Sequence, residues 1–177
     1  MAARRGAAGR GLAWKYPLDR QSLLSIMTGW RPARFEDMAV LAGWIESPQA
    51  LARWGGPSLT WPMLPGQLWQ QIDAESFPSF SLEDNGELLA FGQLSPRDEA
   101  ATWHLCRLIV APHRRGQQLG DRLCRYLIER AIPLGATQIT LNVAAGNLPA
   151  VRLYQRLGFL DNGPVNERGI QPMALQL

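Results

Sequence analysis

The stretch RLIVAPHRRGQQLGDRLCRYLIERA, residues 107–131, decides how the chain folds. An apolar run ends at Pro112, two arginines follow, and glycines stand at positions 116 and 120 before a helical pattern begins. Leu119, Leu123, Leu127, Ile128 and Ala131 recur on one helical face. The reading is a strand that hands over to a helix through a glycine-containing turn. Such a turn suits an anion, because the first N–H groups of a helix lack intrahelical partners and the helix dipole adds positive potential. Glycine lets the backbone curl close to a phosphate, and Arg114 and Arg115 add charge and donors. The bland alternative is a surface turn with solvated arginines.

Working upstream, FPSFSLEDNGELLAFGQL reads as strand, Asn-Gly turn, strand, and residues 101–110 as a third strand. Before them, GWRPA is a short strand ending at Pro32. Met38, Leu41, Ala42 and Ile45 give a helix from Phe35, with Glu36 and Asp37 in its first turn. Ser47-Pro48 ends that helix and starts a second through QALARW, Gly55-Gly56-Pro57 breaks the chain, and residues 67–74 form another helix. Downstream, TQITLNV alternates, with Ile139, Leu141 and Val143 on one side. Asn147 caps a helix that carries Leu153, Tyr154 and Leu157 and stops at Gly158; two strands close the chain. This order implies an α/β sandwich with a mixed sheet.

At 177 residues with 46% apolar content, the chain suits one domain with a sizeable core. No apolar run approaches membrane-spanning length. The net charge of +3 comes from Arg4, Arg5, Arg10, Lys15 and Arg20 at the start, leaving the remainder slightly acidic. Neither a nucleic-acid nor a membrane partner is therefore expected. Residues 1–26 read as a flexible basic extension, and Met27 followed by TGWRPARFEDM as the natural domain start. Cys106 and Cys124 read as reduced core residues of a cytoplasmic protein, with no metal site.

Known phosphate loops constrain the turn. A Walker A loop requires Gly-Lys-Ser/Thr, which does not follow, and a dinucleotide fingerprint requires Gly-x-Gly-x-x-Gly early in a βαβ unit. Residues 107–131 instead resemble the acetyl-CoA-binding segment of the GNAT N-acetyltransferase superfamily, whose loop runs Gln/Arg-x-x-Gly-x-Gly/Ala. Arg115 holds its first position and Gly120 its last, Gly116 is common there, and Gln118 replaces the middle glycine. A second segment, NVAAGNLPAVRLYQRLGF, resembles the family's following strand and helix at Asn147, Ala150, Tyr154, Gly158 and Phe159.

The resemblance implies a mixed, mostly antiparallel sheet of six to seven strands flanked by about four helices, formed by residues 27–177. It implies acetyl transfer from acetyl-CoA to a primary amine by direct attack, the acceptor being a small molecule or a protein amino group. Leu108, Ile109 and Val110 would line the edge that pairs with pantetheine, and the amides of Arg115, Gly116, Gln117, Gln118, Leu119 and Gly120 would hold the pyrophosphate. Asn147 would touch the coenzyme arm or simply cap its helix. Tyr154 would protonate the departing thiolate or be a core tyrosine. Strand N–H groups near Ile109 or Val110 would meet the oxyanion. His104 is the candidate general base, with Glu75, Glu83 and Glu99 as alternatives, and His113 is expected to be solvated. Trp30, Trp44, Trp54, Trp61 and Trp69 either recognise the acceptor or build a core. Glu36, Asp37, Glu46, Asp73 and Glu75 are few carboxylates for a polycationic acceptor. A homodimer stays open. So does a CoA-binding sensor without turnover, on the strength of Gln118.

Overall fold

A computed structural model describes residues 28–177 of the chain. The extension read at residues 1–26 and the start read at Met27 lie outside the described residues. Seven strands form one sheet: β1 (Thr28–Pro32), β2 (Ser79–Asp84), β3 (Glu87–Pro96), β4 (Thr102–Val110), β5 (Gln138–Ala144), β6 (Leu160–Asp161) and β7 (Ile170–Gln176), in the order β1-β2-β3-β4-β5-β7-β6. Only β4 and β5 run parallel; every other neighbouring pair is antiparallel. Among the described residues five helices accompany the sheet: α1 (Asp37–Trp44), α2 (Pro48–Gly55), α3 (Pro65–Gln71), α4 (Leu119–Ala131) and α5 (Leu148–Arg156). No helix among the described residues is long and apolar enough to cross a membrane.

Local chemistry explains the elements. Asn85 and Gly86 both take positive φ, 49° and 81°, which lets a two-residue turn join β2 and β3. Ser47 Oγ accepts from the Ala50 N–H at 3.1 Å, and Pro48 needs no N–H partner in the first turn of α2. The helix expected from Phe35 begins at Asp37, whose carboxylate ties this end of the helix to its surroundings. That carboxylate receives the Arg34 N–H, the Ser81 hydroxyl and two guanidinium N–H groups of Arg31. Burial raises the Asp37 pKa, but these four bonds outweigh it and hold the carboxyl below its usual value. The helix expected at residues 67–74 starts and stops earlier: Pro65 occupies its first turn, and Asp73 takes φ 52°.

Two cores lie on opposite faces of the sheet. On one, α4 and α5 cover β3, β4 and β5 through Leu105, Leu123, Leu127, Ile139, Leu141 and Phe159. On the other, α1 and α3 bury Met38, Leu41, Leu68 and Ile72 against Phe91. Position 92 admits only glycine comfortably, since a Cβ there would sit 2.7 Å from Leu127 Cδ1 and 2.9 Å from Leu108 Cδ2. The tryptophans mostly build: Trp30 stacks on Tyr126 at 4.5 Å, Trp54 tilts against Phe91, and Trp44 and Trp69 border the second core. Trp61 is 40% exposed.

Candidate functional site

The site begins where β4 parts from β5. Residues 102–105 of β4 pair with residues 138–141 of β5, and there the ladder stops. β5 continues alongside β7 as far as Ala144, and β4 continues alongside β3 as far as Val110. A wedge therefore opens between residues 106–110 and 142–144. The divergence coincides with a bulge. Phe91 pairs with Ile109 and Gln93 with Cys106, so one intervening residue of β3 faces two of β4. Arg107 absorbs the extra length with φ 55°. Beyond it, β4 has a strand edge on the wedge side with no ladder partner, and its residues are half-buried.

The wedge runs into a groove of about 750 Å³. Leu108, Ile109 and Val110 form one wall, and Asn147 and Tyr154 of the α5 segment another. Arg115, Gly116, Gln118, Leu119 and Gly120 line its far end. After a short 3-10 turn (Pro112–Arg114), Gly116 and Gln118 both take positive φ, 79° and 59°. Gln118 thus holds a left-handed conformation where the resembling loop uses glycine, and the first helical turn of α4 follows directly. Gln117 is exposed in the same loop but is not among the wall residues.

Charge at this end is partly spoken for. Glu87 accepts from Arg114 at 2.8 Å and bonds His113, so these two side chains carry a counter-ion and Arg115 contributes its charge more freely. His113 is paired as well as exposed. Arg125 and Arg156 also line the groove, and Arg125 is bonded to Asp121 at 2.6 Å. Sequence reasoning missed them because surface arginines on a helix carry no signal of their own.

Asn147 does two things at once. Its Oδ1 accepts from the Ala150 N–H at 3.4 Å, capping α5, while the residue faces the groove. Tyr154 is 9% exposed and packs edge-on against Phe159 at 6.0 Å. Burial, then the neighbouring Cys124, pushes its phenol above the ordinary value, so the proton stays on. Burial and then Asp121 push the Cys124 thiol up to about 12. Both cysteines are free.

The expected base is not at the groove. His104 lies in the paired half of β4, with Nδ1 2.8 Å from Thr140 Oγ1. Burial, then Arg97 and Arg107, lowers its pKa to about 3. A base that weak gains little by taking a proton from an ammonium, and His104 does not line the groove. Glu75, Glu83 and Glu99 do not line the groove either; Glu83 is held by Arg31 at 2.6 Å.

The family model described as "Acetyltransferase (GNAT) family" matches residues 46–159, which contain the wedge, the turn and α5. The chain belongs to the GNAT acetyltransferase family. Among curated relatives, a ribosomal protein bS18-alanine N-acetyltransferase of Escherichia coli is 34% identical over 85 residues, 48% of this chain and 56% of that protein. An IAA acetyltransferase of Azospirillum brasilense is 28% identical over 91 residues, 51% of this chain and 60% of that protein. The chain spans about half the length of these two relatives. Among solved structures, a spermidine N-acetyltransferase from Vibrio cholerae in complex with CoA and spermine superposes with TM-score 0.69 at 19% identity, covering 85% of this chain and 96% of that one. A putative acetyltransferase from Salmonella typhimurium, solved with acetyl-CoA, gives 0.68 at 20% identity over 85% and 94%. At such identities the likeness establishes the GNAT fold.

Proposed function

We propose that this GNAT chain transfers the acetyl group of acetyl-CoA to a primary amine, of a small molecule or a protein, by direct attack. The observation that carries the reading is the wedge: a strand edge without a partner at residues 106–110 leads straight to a glycine-containing helix start. A pantetheine arm has amides that can pair with that edge at Leu108, Ile109 and Val110, and a diphosphate suits the amides of Arg115, Gly116, Gln117, Gln118, Leu119 and Gly120. Asn147 has an amide nitrogen to offer the same arm while its oxygen caps α5.

In this reading the amine lone pair attacks the thioester carbon, the C–S bond breaks, and the nitrogen gives up a proton. Strand N–H groups near Ile109 stabilise the oxyanion. Tyr154 donates a hydrogen bond to the leaving sulfur. Full transfer from a phenol of raised pKa to a thiolate with pKa near about 8.5 is uphill, so the proton that finally neutralises the sulfur derives from the amine. With no strong base in the groove, the acceptor enters as the neutral amine, and the rate rises with pH toward the amine's own pKa.

Titration calorimetry with CoA and acetyl-CoA, followed by thiol release across an amine panel, tests this. Absence of heat at millimolar ligand would reject it. Tight binding with no turnover on any amine would replace it with a CoA-binding sensor.

A further inference from the structure

The face of the sheet opposite α4 and α5 carries a second feature at the same divergence. Phe91 and Gln93 point to that face, because Gly92 between them faces α4. Arg107 Nη1 donates to Gln93 Oε1, and the Gln93 amide is fixed in turn by Ile72 O and Ser79 Oγ, both at 2.9 Å. The guanidinium is thus held by a buried, fully oriented side chain. Its Nε is buried with no hydrogen-bond partner. Trp54 Nε1, from the end of α2 packed over Phe91 at 6.3 Å, is a second buried donor without a partner. Among the described residues no carboxylate pairs with Arg107 or with Arg97, whose charges both act on His104.

An unsatisfied guanidinium donor and an unbalanced positive charge call for an anionic oxygen group. A buried N–H left unpaired is costly, and a ligand that supplies lone pairs recovers that cost. With Nη1 engaged, the Nε–Nη2 edge of the guanidinium is the one left for bidentate pairing, and that fork matches a planar carboxylate. Arg107 stands two residues before Ile109 on the same strand, at the border of the open half, so an acceptor anchored there lies next to the wedge. We propose that Arg107 selects acceptor amines that also carry a carboxylate, and that polyamines are poor substrates. This rests on the acetyltransferase reading above. It makes Arg107 a specificity-determining residue that the coenzyme groove does not include.

The test uses α-, β- and γ-amino acids, each paired with the amine of the same skeleton bearing methyl in place of carboxylate, with spermidine as the polycation. Thiol release is followed at saturating acetyl-CoA. At least one carboxylate-bearing acceptor should exceed its partner in kcat/KM by about tenfold or more, and should exceed spermidine. In Arg107→Gln that ratio should fall below about threefold, and Arg107→Lys should restore part of it, with CoA binding by calorimetry serving as the folding control. Equal turnover within every pair, preference for spermidine, or a ratio unmoved by Arg107→Gln would overturn the carboxylate inference while leaving the acetyltransferase reading intact. If CoA binds but no amine turns over, calorimetry of N-acetyl amino acids against their neutral counterparts on the CoA complex decides it. Binding without discrimination there overturns the inference. No heat with CoA overturns both readings.

Discussion

Residues 102–105 and 106–110 belong to one strand yet meet different surroundings. The first four are flanked by β3 and β5, and Leu105 is 2% exposed. The next five have β3 alone, are half-buried, and include a residue at positive φ. The paired half carries stability; the open half forgoes ladder hydrogen bonds and leaves its backbone groups available to a ligand. The bulge at Arg107 marks the border between them.

The sharpest contrast is between activity and stability. Tyr154→Phe keeps the ring that packs on Phe159 but removes the hydroxyl. Under the proposed mechanism the hydrogen bond to the developing thiolate is lost and kcat falls by about 10²-fold, while the melting temperature moves little. A Tyr154→Phe enzyme with unchanged kcat would make that tyrosine a core residue and nothing else. Leu105→Ala should do the reverse, costing about 2–5 kcal/mol of stability by opening a cavity in the first core. Ile109→Ala, from the open half, should cost under about 2 kcal/mol and weaken CoA binding instead. Denaturant melts of the two variants check this. Equal destabilisation would erase the distinction between the halves.

How far the sequence revealed this depends on the range of each cause. The β2–β3 hairpin, the apolar face of α4 and the cap of α5 were legible because each is set by residues within a few positions of one another. The turn at residues 115–120 was legible because its glycines and arginines sit together. The orientation of β4 was not. Strict alternation from Leu105 would put Arg107 and Ile109 on its face, whereas the bulge puts Leu108 and Val110 there instead. His104 lies before the bulge, in the half of β4 that β5 still pairs, and so stands apart from the groove, while the bulge itself left Arg107 unconsidered. One signal was available, a lone arginine in the otherwise apolar run LCRLIV, and only the fold gives it meaning.

A smaller effect sharpens the buried half alone. His104 ordinarily titrates near 6.5, but in the fold its pKa is about 3, lowered by burial and then by Arg97 and Arg107. The unfolded chain therefore binds a proton that the folded chain refuses. Stability contributed by neutral His104 is present above pH 6.5 and declines as pH falls toward 3, by up to about 1.4 kcal/mol per pH unit. His104→Asn should flatten that slope. Measurement above about pH 5 separates it from the carboxylates, which titrate lower. A slope unchanged by the substitution would mean that the imidazole is not held neutral by the paired half.

The smallest effect lies at the far end of the open half, in the turn. Gln118 occupies φ 59°, ψ 12°, a left-handed conformation that costs a residue with a Cβ about 1 kcal/mol relative to glycine. Its side chain is exposed, so little packing is lost by removing it. Glycine at position 118 relieves the strain in the folded state but gives the unfolded chain more freedom, and the two effects partly cancel. The net expectation for Gln118→Gly is a gain of a few tenths of a kcal/mol, or a melting temperature higher by about 1–2 °C. CoA affinity should stay within about threefold, since the N–H at position 118 is retained and the backbone already follows the path glycine would take. A clear drop in melting temperature would show that the left-handed turn is held by the glutamine side chain, and a large gain in CoA affinity would show that this side chain obstructs the groove.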